Sequence, residues 1–566
     1  MLDRVTTKTG TAKTGAAGAA ARGDDAVWWR GAAIYEVYIR SFFDSNGDGI
    51  GDLAGVAQKL DYIAGLGVDA VWLSPFYKSP QKDFGYDISD YRVIDLTAGT
   101  MEDFMTVLDG VHERGMRLLL DFVPGHTSNE HPWFLESREG GDREKADWYV
   151  WADKAPDGGP PNNWLSSFGG SAWQWEPRRG QYYYHPFLAC QPALDLHKPK
   201  VLQHVTEQMG YWVDLGVDGF RLDAVQCLGY DPDFRSNPPL GGADHPILIG
   251  GGPGNPFGDQ LHIFDRNAHG TAEVLAHFRD FAESRGCVLI GELADVDSSA
   301  MAVEFSGERR DLHAVYDFDL INCKSDVDSL NAMLEKRLAS MGDAWLMNVF
   351  TNHDSRRAVS NLTRFASPEC RAEAAKMLLF LQMTLKGGCV IFQGEELGLP
   401  HPDLGYDDIR DPWAKAFWPV FEGRDGARTP FPWNSGKNAG FSTAERTWLP
   451  PAGEHRPLNA EAQGRNRDSV LNFFRGFAAW RRDKSILRTG TIEMGHRDRA
   501  PLITWSRRQD GTTWRAAINF SEDQAFFQLP EGAEAIDAPG CATELTPHGI
   551  ALGPFGRALV LWPDQA

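Results

Sequence analysis

Cysteine is scarce: seven residues (190, 227, 287, 323, 370, 389 and 541) are scattered along a chain of 566, with no CxxC pair. That spacing excludes a disulfide framework and a cysteine-based zinc site, and points to a reducing compartment. No apolar run reaches the ~18 residues that a spanning helix needs, so no membrane is expected as a partner. Positive charge is also in deficit, with 56 Lys and Arg against 78 Asp and Glu, a formal net charge of −22. Such a balance argues against nucleic acid or an anionic membrane and favours a neutral ligand or a cation. Residues 1–25 are rich in Ala, Gly and Thr but lack a continuous apolar core, so they read as a disordered tail and not as a secretory signal. The expected location is cytoplasmic.

What is present is a long, globular composition, 42% hydrophobic and 24% charged, too long for a single core. Nineteen Trp and 14 Tyr supply flat apolar faces, for packing and for stacking on sugars. Strand-like apolar runs recur at 33–39, 70–73, 117–122, 219–222, 288–290, 314–318, 345–350 and 389–392, with helical patterns such as 53–66 and 101–114 between most of them. Eight strand–helix units predict an α/β fold, a closed parallel (β/α)8 barrel. About a hundred residues separate the third and fourth runs, far more than one crossover requires. The excess, 124–189, is rich in Trp, Gly and Tyr and reads as a subdomain inserted after the third strand. A second long loop, 226–267, follows the fourth. Beyond 469–482 short alternating segments (LITWSRR, TTWRAAINF, RALVLW) predict a C-terminal antiparallel β-sandwich. The expected boundaries are tail 1–25, barrel 26–123 and 190–487, insertion 124–189 and C-terminal domain 488–566.

Three acidic residues end apolar runs: Asp223 in GVDGFRLDAV, Glu292 in VLIGEL and Asp354 in VFTNHD. A retaining glycosidase needs a carboxylate nucleophile and a separate protonated carboxyl beside one sugar ring. Arg221 lies two residues before Asp223, so on a strand both side chains share a face and the cation can orient the carboxylate and keep it ionised. The stretch 44–52 (DSNGDGIGD) spaces oxygen ligands like the start of a calcium loop, but no Glu follows at the twelfth position, so it is not an EF-hand.

In order along the chain, GYDISDY, DFVPGHTS, GFRLDAV, GEL, TNHD, QGEELG and RDGARTPFPW resemble glycoside hydrolase family 13, the α-amylase family, in its α-glucosidase and oligo-1,6-glucosidase branch. The resemblance covers nearly the whole chain from about Val27. It implies that Asp223 is the nucleophile and Glu292 the acid/base, its pKa raised by the neighbouring Asp223 carboxylate. Asp354 would be the third carboxylate, bonding ring hydroxyls. His126 and His353 match the subsite histidines, and Tyr86 and Asp87 the residues that grip the terminal glucose. Asp87, with Arg424 or Arg428, would close the pocket for exo action. A structural Ca²⁺ or Mg²⁺ is implied on Asp44, Asn46, Asp48, the Ile50 carbonyl and Asp52, and no cofactor for catalysis.

Two departures carry expectations of their own. Gly125 stands where the family usually has Asn, which argues against an amylase-type calcium site. Ala224 replaces the Val that α-1,6-preferring relatives tend to carry, which favours α-1,4 linkages. The expected enzyme is a retaining exo-α-glucosidase acting, as a monomer or homodimer, on maltose, short malto-oligosaccharides or sucrose. The alternatives are a sucrose hydrolase, an oligo-1,6-glucosidase or a transglucosidase with the same catalytic pair, and, from another class, a non-catalytic sugar-binding or transporter-associated homologue.

Overall fold

The computed structural model describes residues 27–241, 254–295, 298–308, 311–495 and 501–563. The expected disordered tail, 1–25, lies outside the described residues, as do 242–253 of the second long loop. Eight strands, Ala33–Val37, Ala70–Leu73, Arg117–Phe122, Gly219–Leu222, Val288–Leu293, Ala314–Asp317, Leu346–Asn348 and Gly388–Phe392, pair side by side in chain order, all parallel, and the eighth closes on the first. Each coincides with one predicted run. Among the described residues no helix is long and apolar enough to cross a membrane.

Side chains alternate across a strand, and register carries that alternation round the barrel. In the first strand Tyr35 and Val37 face the outer core, whereas Ile34 joins the barrel interior with Ala70, Trp72, Ile290 and Ala314. Ile34 pairs with Ala70, Leu119 with Gly219 and Ile290 with Ala314. Two residues further on, the same inward face turns polar: Glu36 pairs with Trp72, Asp121 with Arg221, and Glu292 with Tyr316. One pleat therefore separates an apolar plug from a charged layer at the carboxyl end, where barrel enzymes keep their sites.

The insertion forms a three-stranded antiparallel sheet, with Gln181–Tyr184 between Trp151–Ala152 and Trp173–Glu176. It is small and builds its core from aromatics, Trp164 stacking on Trp173 at 5.6 Å between ring centroids. The chain ends in a five-stranded and a three-stranded antiparallel sheet. These pack near the helix Arg371–Thr384, whose residues from Ala374 to Thr384 are all buried. A helix covered on every side reads as apolar all round, as AAKMLLFLQMT does. Trp505 and Arg507 of the larger sheet donate to the Thr384 carbonyl and tie the sheet to that helix.

Candidate active site

Arg221 organises the charged layer. Its Nη1 donates to Asp121 Oδ1 at 2.8 Å and to Asp223 Oδ1 at 2.7 Å, and its Nη2 lies 2.6 Å from Glu292 Oε2. One guanidinium thus carries three carboxylates, two of them on the neighbouring strands: Asp121 directly across in register, and Glu292 two residues beyond Ile290, the register partner of Arg221. Asp223 sits just past the end of its strand, its N–H on the Phe122 carbonyl. The next residue, Ala224, turns into the left-handed region at φ 45°, a strained conformation for a residue with a Cβ. That turn aims the Ala224 N–H at Glu292 Oε2 (3.1 Å), while Tyr316 Oη donates to Oε1 at 3.1 Å.

Burial raises both carboxyls. For Asp223 desolvation outweighs the opposing pull of Arg221 and sets the pKa at about 6. For Glu292 desolvation, reinforced by the Asp223 and Asp354 carboxylates and opposed by Arg221, sets it at about 7. Between those values the arrangement holds an ionised carboxylate and a protonated carboxyl on one cation, the pairing that acid/base-assisted nucleophilic displacement requires.

Asp354 lies on the turn after the seventh strand. Burial alone would raise its pKa, but His353, Arg428 and Arg424 hold it well below the usual carboxylate range. His353 Nε2 is 3.1 Å from its Oδ2, Arg424 Nη1 is 3.5 Å from Oδ1, and Arg428 donates to Oδ1. Arg424 also pairs with Asp83 (2.7 Å) and Asp411 (2.9 Å). Tyr86 Oη bridges Asp121 Oδ2 (2.9 Å) and His353 Nε2 (2.7 Å), and His126 Nε2 meets the Tyr86 carbonyl at 3.1 Å.

Of these groups Asp83, Tyr86, His126, Asp223, Glu292, Asp354 and Arg424 line a small cavity, together with Phe168, Phe187, Gln191, Ala224, Gln226 and Trp413. Phe168 and Phe187 come from the insertion and Trp413 from the segment after the eighth strand. Trp413 stacks on Phe168 at 4.8 Å, and the Arg424 guanidinium lies 4.9 Å from the same ring. The cavity is thus charged on its floor and aromatic on its walls, an arrangement suited to a polyhydroxylated ring.

The family model described as the catalytic domain of alpha amylase matches residues 36–490. The chain belongs to the alpha-amylase family. Within that family it falls in the α-glucosidase and oligo-1,6-glucosidase branch, and it is an enzyme. It is 41% identical over 545 residues to a probable alpha-glucosidase of Rhizobium meliloti, covering 94% of this chain and 96% of that one. It is 36% identical to the oligo-1,6-glucosidase of Parageobacillus thermoglucosidasius, over 89% of this chain and 92% of the relative. Among solved structures, the alpha-glucosyl transfer enzyme XgtA superposes with a TM-score of 0.89 at 41% identity, covering 95% of this chain and 99% of that one.

Against the family's pattern, two expectations need correction, and a third finds no support. Asp87 does not reach the cavity: fully buried, it accepts from Ser79 Oγ and from the Lys82 and Asp83 N–H groups. Asp83, four residues earlier in KDFGYD, takes its place on the cavity wall against Arg424. The elevated Glu292 pKa comes first from burial, with Asp223 a smaller contributor. The third concerns the cation loop. Asp44 accepts from the Asn46, Gly47 and Gly49 N–H groups, Asn46 from Asp48, and Asp48 from Ile50. Asp52 accepts from Ser45 and caps the helix Leu53–Gln58 through the Gly55 N–H. The side chains expected to hold Ca²⁺ or Mg²⁺ point back at their own backbone. Among the described residues no three His, Cys, Asp or Glu side chains converge to hold a metal ion. No step is routed through a cation here.

Sequence reading also missed Glu36, Asp121, Tyr316 with the Asn352 amide that donates to its hydroxyl at 2.7 Å, Asp411 and the aromatic wall. Glu36 and Asp121 carried a usable signal, a charge at the end of an apolar run (AIYEV, RLLLDF). The wall carried none, because its members come together only across two loops.

Proposed function

We propose that this enzyme is a retaining, exo-acting α-glucosyl enzyme. It takes the terminal non-reducing glucosyl unit of short α-glucosides and passes it to water or to a sugar hydroxyl. The observation that carries this reading is the shared Arg221 guanidinium, with Asp223 and Glu292 on its two ends and both facing one small cavity. Asp223 attacks the anomeric carbon while Glu292 protonates the departing glycosidic oxygen, leaving a glucosyl ester on Asp223. The Glu292 carboxylate then takes a proton from the acceptor as its oxygen displaces Asp223, so two inversions give net retention. Asp354, ionised by its two arginines and His353, accepts from ring hydroxyls, and the Asp83–Arg424 pair bonds the hydroxyls of the terminal ring and closes the glucose end.

The expected preference for maltose-type α-1,4 bonds rests on Ala224 alone. The names of the relatives favour the alternative of wider linkage use with transfer: one is an oligo-1,6-glucosidase and another an alpha-glucosyl transfer enzyme. Proton NMR of fresh reactions with maltose, isomaltose and sucrose tests both points. Early α-glucose, with isomaltose consumed at a rate comparable to maltose and new oligosaccharides at high substrate, is the expected outcome. Early β-glucose would overturn retention, and exclusive cleavage of maltose would restore the narrower reading.

A further inference from the structure

The reaction above leaves two carboxylates of the charged layer unused: Asp121, which is hydrogen-bonded to Arg221, and Glu36, whose carboxylate is bonded instead to His353. Glu36 lies on the inward face of the first strand, fully buried, with Trp72 beside it in register. A carboxylate so placed is costly unless a partner balances it. Among the described residues its side chain makes one hydrogen bond, Oε1 to His353 Nδ1 at 2.6 Å, and its Oε2 has no partner. The His353 ring is clamped between Tyr38 and Tyr86, stacked at 5.6 and 5.5 Å. On its far side Nε2 faces Tyr86 Oη and Asp354 Oδ2.

The proton inventory follows from these contacts. The single Tyr86 hydroxyl proton goes to Asp121 Oδ2, so Tyr86 Oη must accept from Nε2–H. Nδ1 faces Glu36 Oε1, and with Glu36 ionised beside Arg221 it too carries a proton. Both ring nitrogens are donors only in the imidazolium. The other charged groups about the ring are Arg221, beyond Glu36, and Arg428, whose Nε donates to the His353 carbonyl. Neither cation offers a nitrogen an acceptor.

We propose that Glu36 is a positioning residue: it holds His353 as an imidazolium, and through it holds Asp354 ionised and aimed at the sugar ring. This rests on the reading of Asp354 given above. The shifts agree in direction. Burial would lower the His353 pKa, but Asp354 and Glu36 bring it to about 9.

The test is Glu36→Gln in the full-length enzyme, with Glu36→Asp as the charge-retaining control. The glutamine keeps an acceptor for Nδ1 but removes the charge. Its kcat/KM should fall about 10–100-fold at pH 8, the range for removing a partner that orients a functional imidazole. The loss should appear equally with maltose and with α-glucosyl fluoride, because Asp354 contacts the glucose that both share. It should shrink as pH is lowered and the imidazole regains its proton, and Glu36→Asp should recover much of the rate. ¹⁵N-histidine spectra provide a readout independent of turnover, with the His353 signal identified by its absence in His353→Asn. The wild type should show both ring nitrogens protonated at pH 8, and Glu36→Gln a neutral ring. A neutral ring in the wild type, or an unchanged pH profile in a folded Glu36→Gln, overturns the proposal. If wild type turns over no α-glucoside, the functional reading fails, while the spectra still decide what Glu36 does. Should Glu36→Gln not fold, the wild-type spectrum and Glu36→Asp carry the decision.

Discussion

Two buried arginines at the carboxyl end of the barrel invite comparison. Arg337, on the helix Val327–Ser340, donates to Asp317 at 2.9 Å, to the Met347 carbonyl at 3.0 Å and to Asn348 Oδ1 at 3.2 Å. Arg221 holds Asp121, Asp223 and Glu292. Both cations are nearly inaccessible, and burial raises the pKa of Asp317 to about 6, as it does for Asp223. A perturbed pKa therefore does not separate the two sites. What does is charge balance and direction. Arg337 meets one carboxylate and neutral acceptors, on the outward face of the sixth strand against a helix. Arg221 meets three carboxylates on the inward face, and Asp223 and Glu292 open onto the cavity. A balanced buried pair holds elements together, whereas a surplus of carboxylates beside a cavity waits for a ligand to complete it.

The sharpest way to break this contrast is to remove charge from each side. Asp223→Asn should lower kcat by about 10⁴-fold or more with little change in melting temperature, as expected when a covalent nucleophile is lost. Near-wild-type rates would remove Asp223 from the nucleophile's role. Glu292→Gln should cost about 10²–10⁴-fold on disaccharides, the span for general acid catalysis, but much less in the first step with α-glucosyl fluoride, whose leaving group needs little protonation. Equal losses on both substrates would contradict the acid assignment.

Arg337→Met should do the reverse. Leaving Asp317 buried and unpaired should destabilise the protein by about 3–5 kcal/mol in chemical denaturation, while kcat of the folded enzyme stays within a factor of about two. A large kcat effect would show that the outer pair reaches the chemistry after all.

The pH profile sharpens the comparison further. Rates should rise on the acid side as Asp223 loses its proton near pH 6 and fall on the alkaline side as Glu292 loses its own near pH 7. Because one arginine couples them, the two limbs describe the pair and not either residue alone. The smallest effect contrasts the neighbours in KDFGYD: Asp83→Ala should raise KM for disaccharides, whereas Asp87→Ala should act mainly through stability, and equal KM effects would refute the reassignment.

The sequence alone determined the barrel, because each strand is a short apolar run ending in a polar residue and eight such runs alternate with helical patterns. It also singled out Asp223, Glu292, Asp354, Arg221 and the two histidines, which lie within or just after those runs, where period two keeps side chains on a common face. Tertiary structure decided what depends on partners remote in the chain. Asp83 and Asp87 share one loop, and only the approach of Arg424, 341 positions beyond Asp83, separates the cavity residue from the buried one. The loop 44–52 spaces oxygen ligands in one dimension, but only the fold shows that Asp44, Asn46, Asp48 and Asp52 also accept from N–H groups of the loop and of the helix that follows it. Phe168 and Trp413 become a wall only where an insertion and a distant loop meet. The Glu292 pKa likewise belongs to the closed barrel, since desolvation is a property of everything packed around a group and of nothing beside it in the sequence.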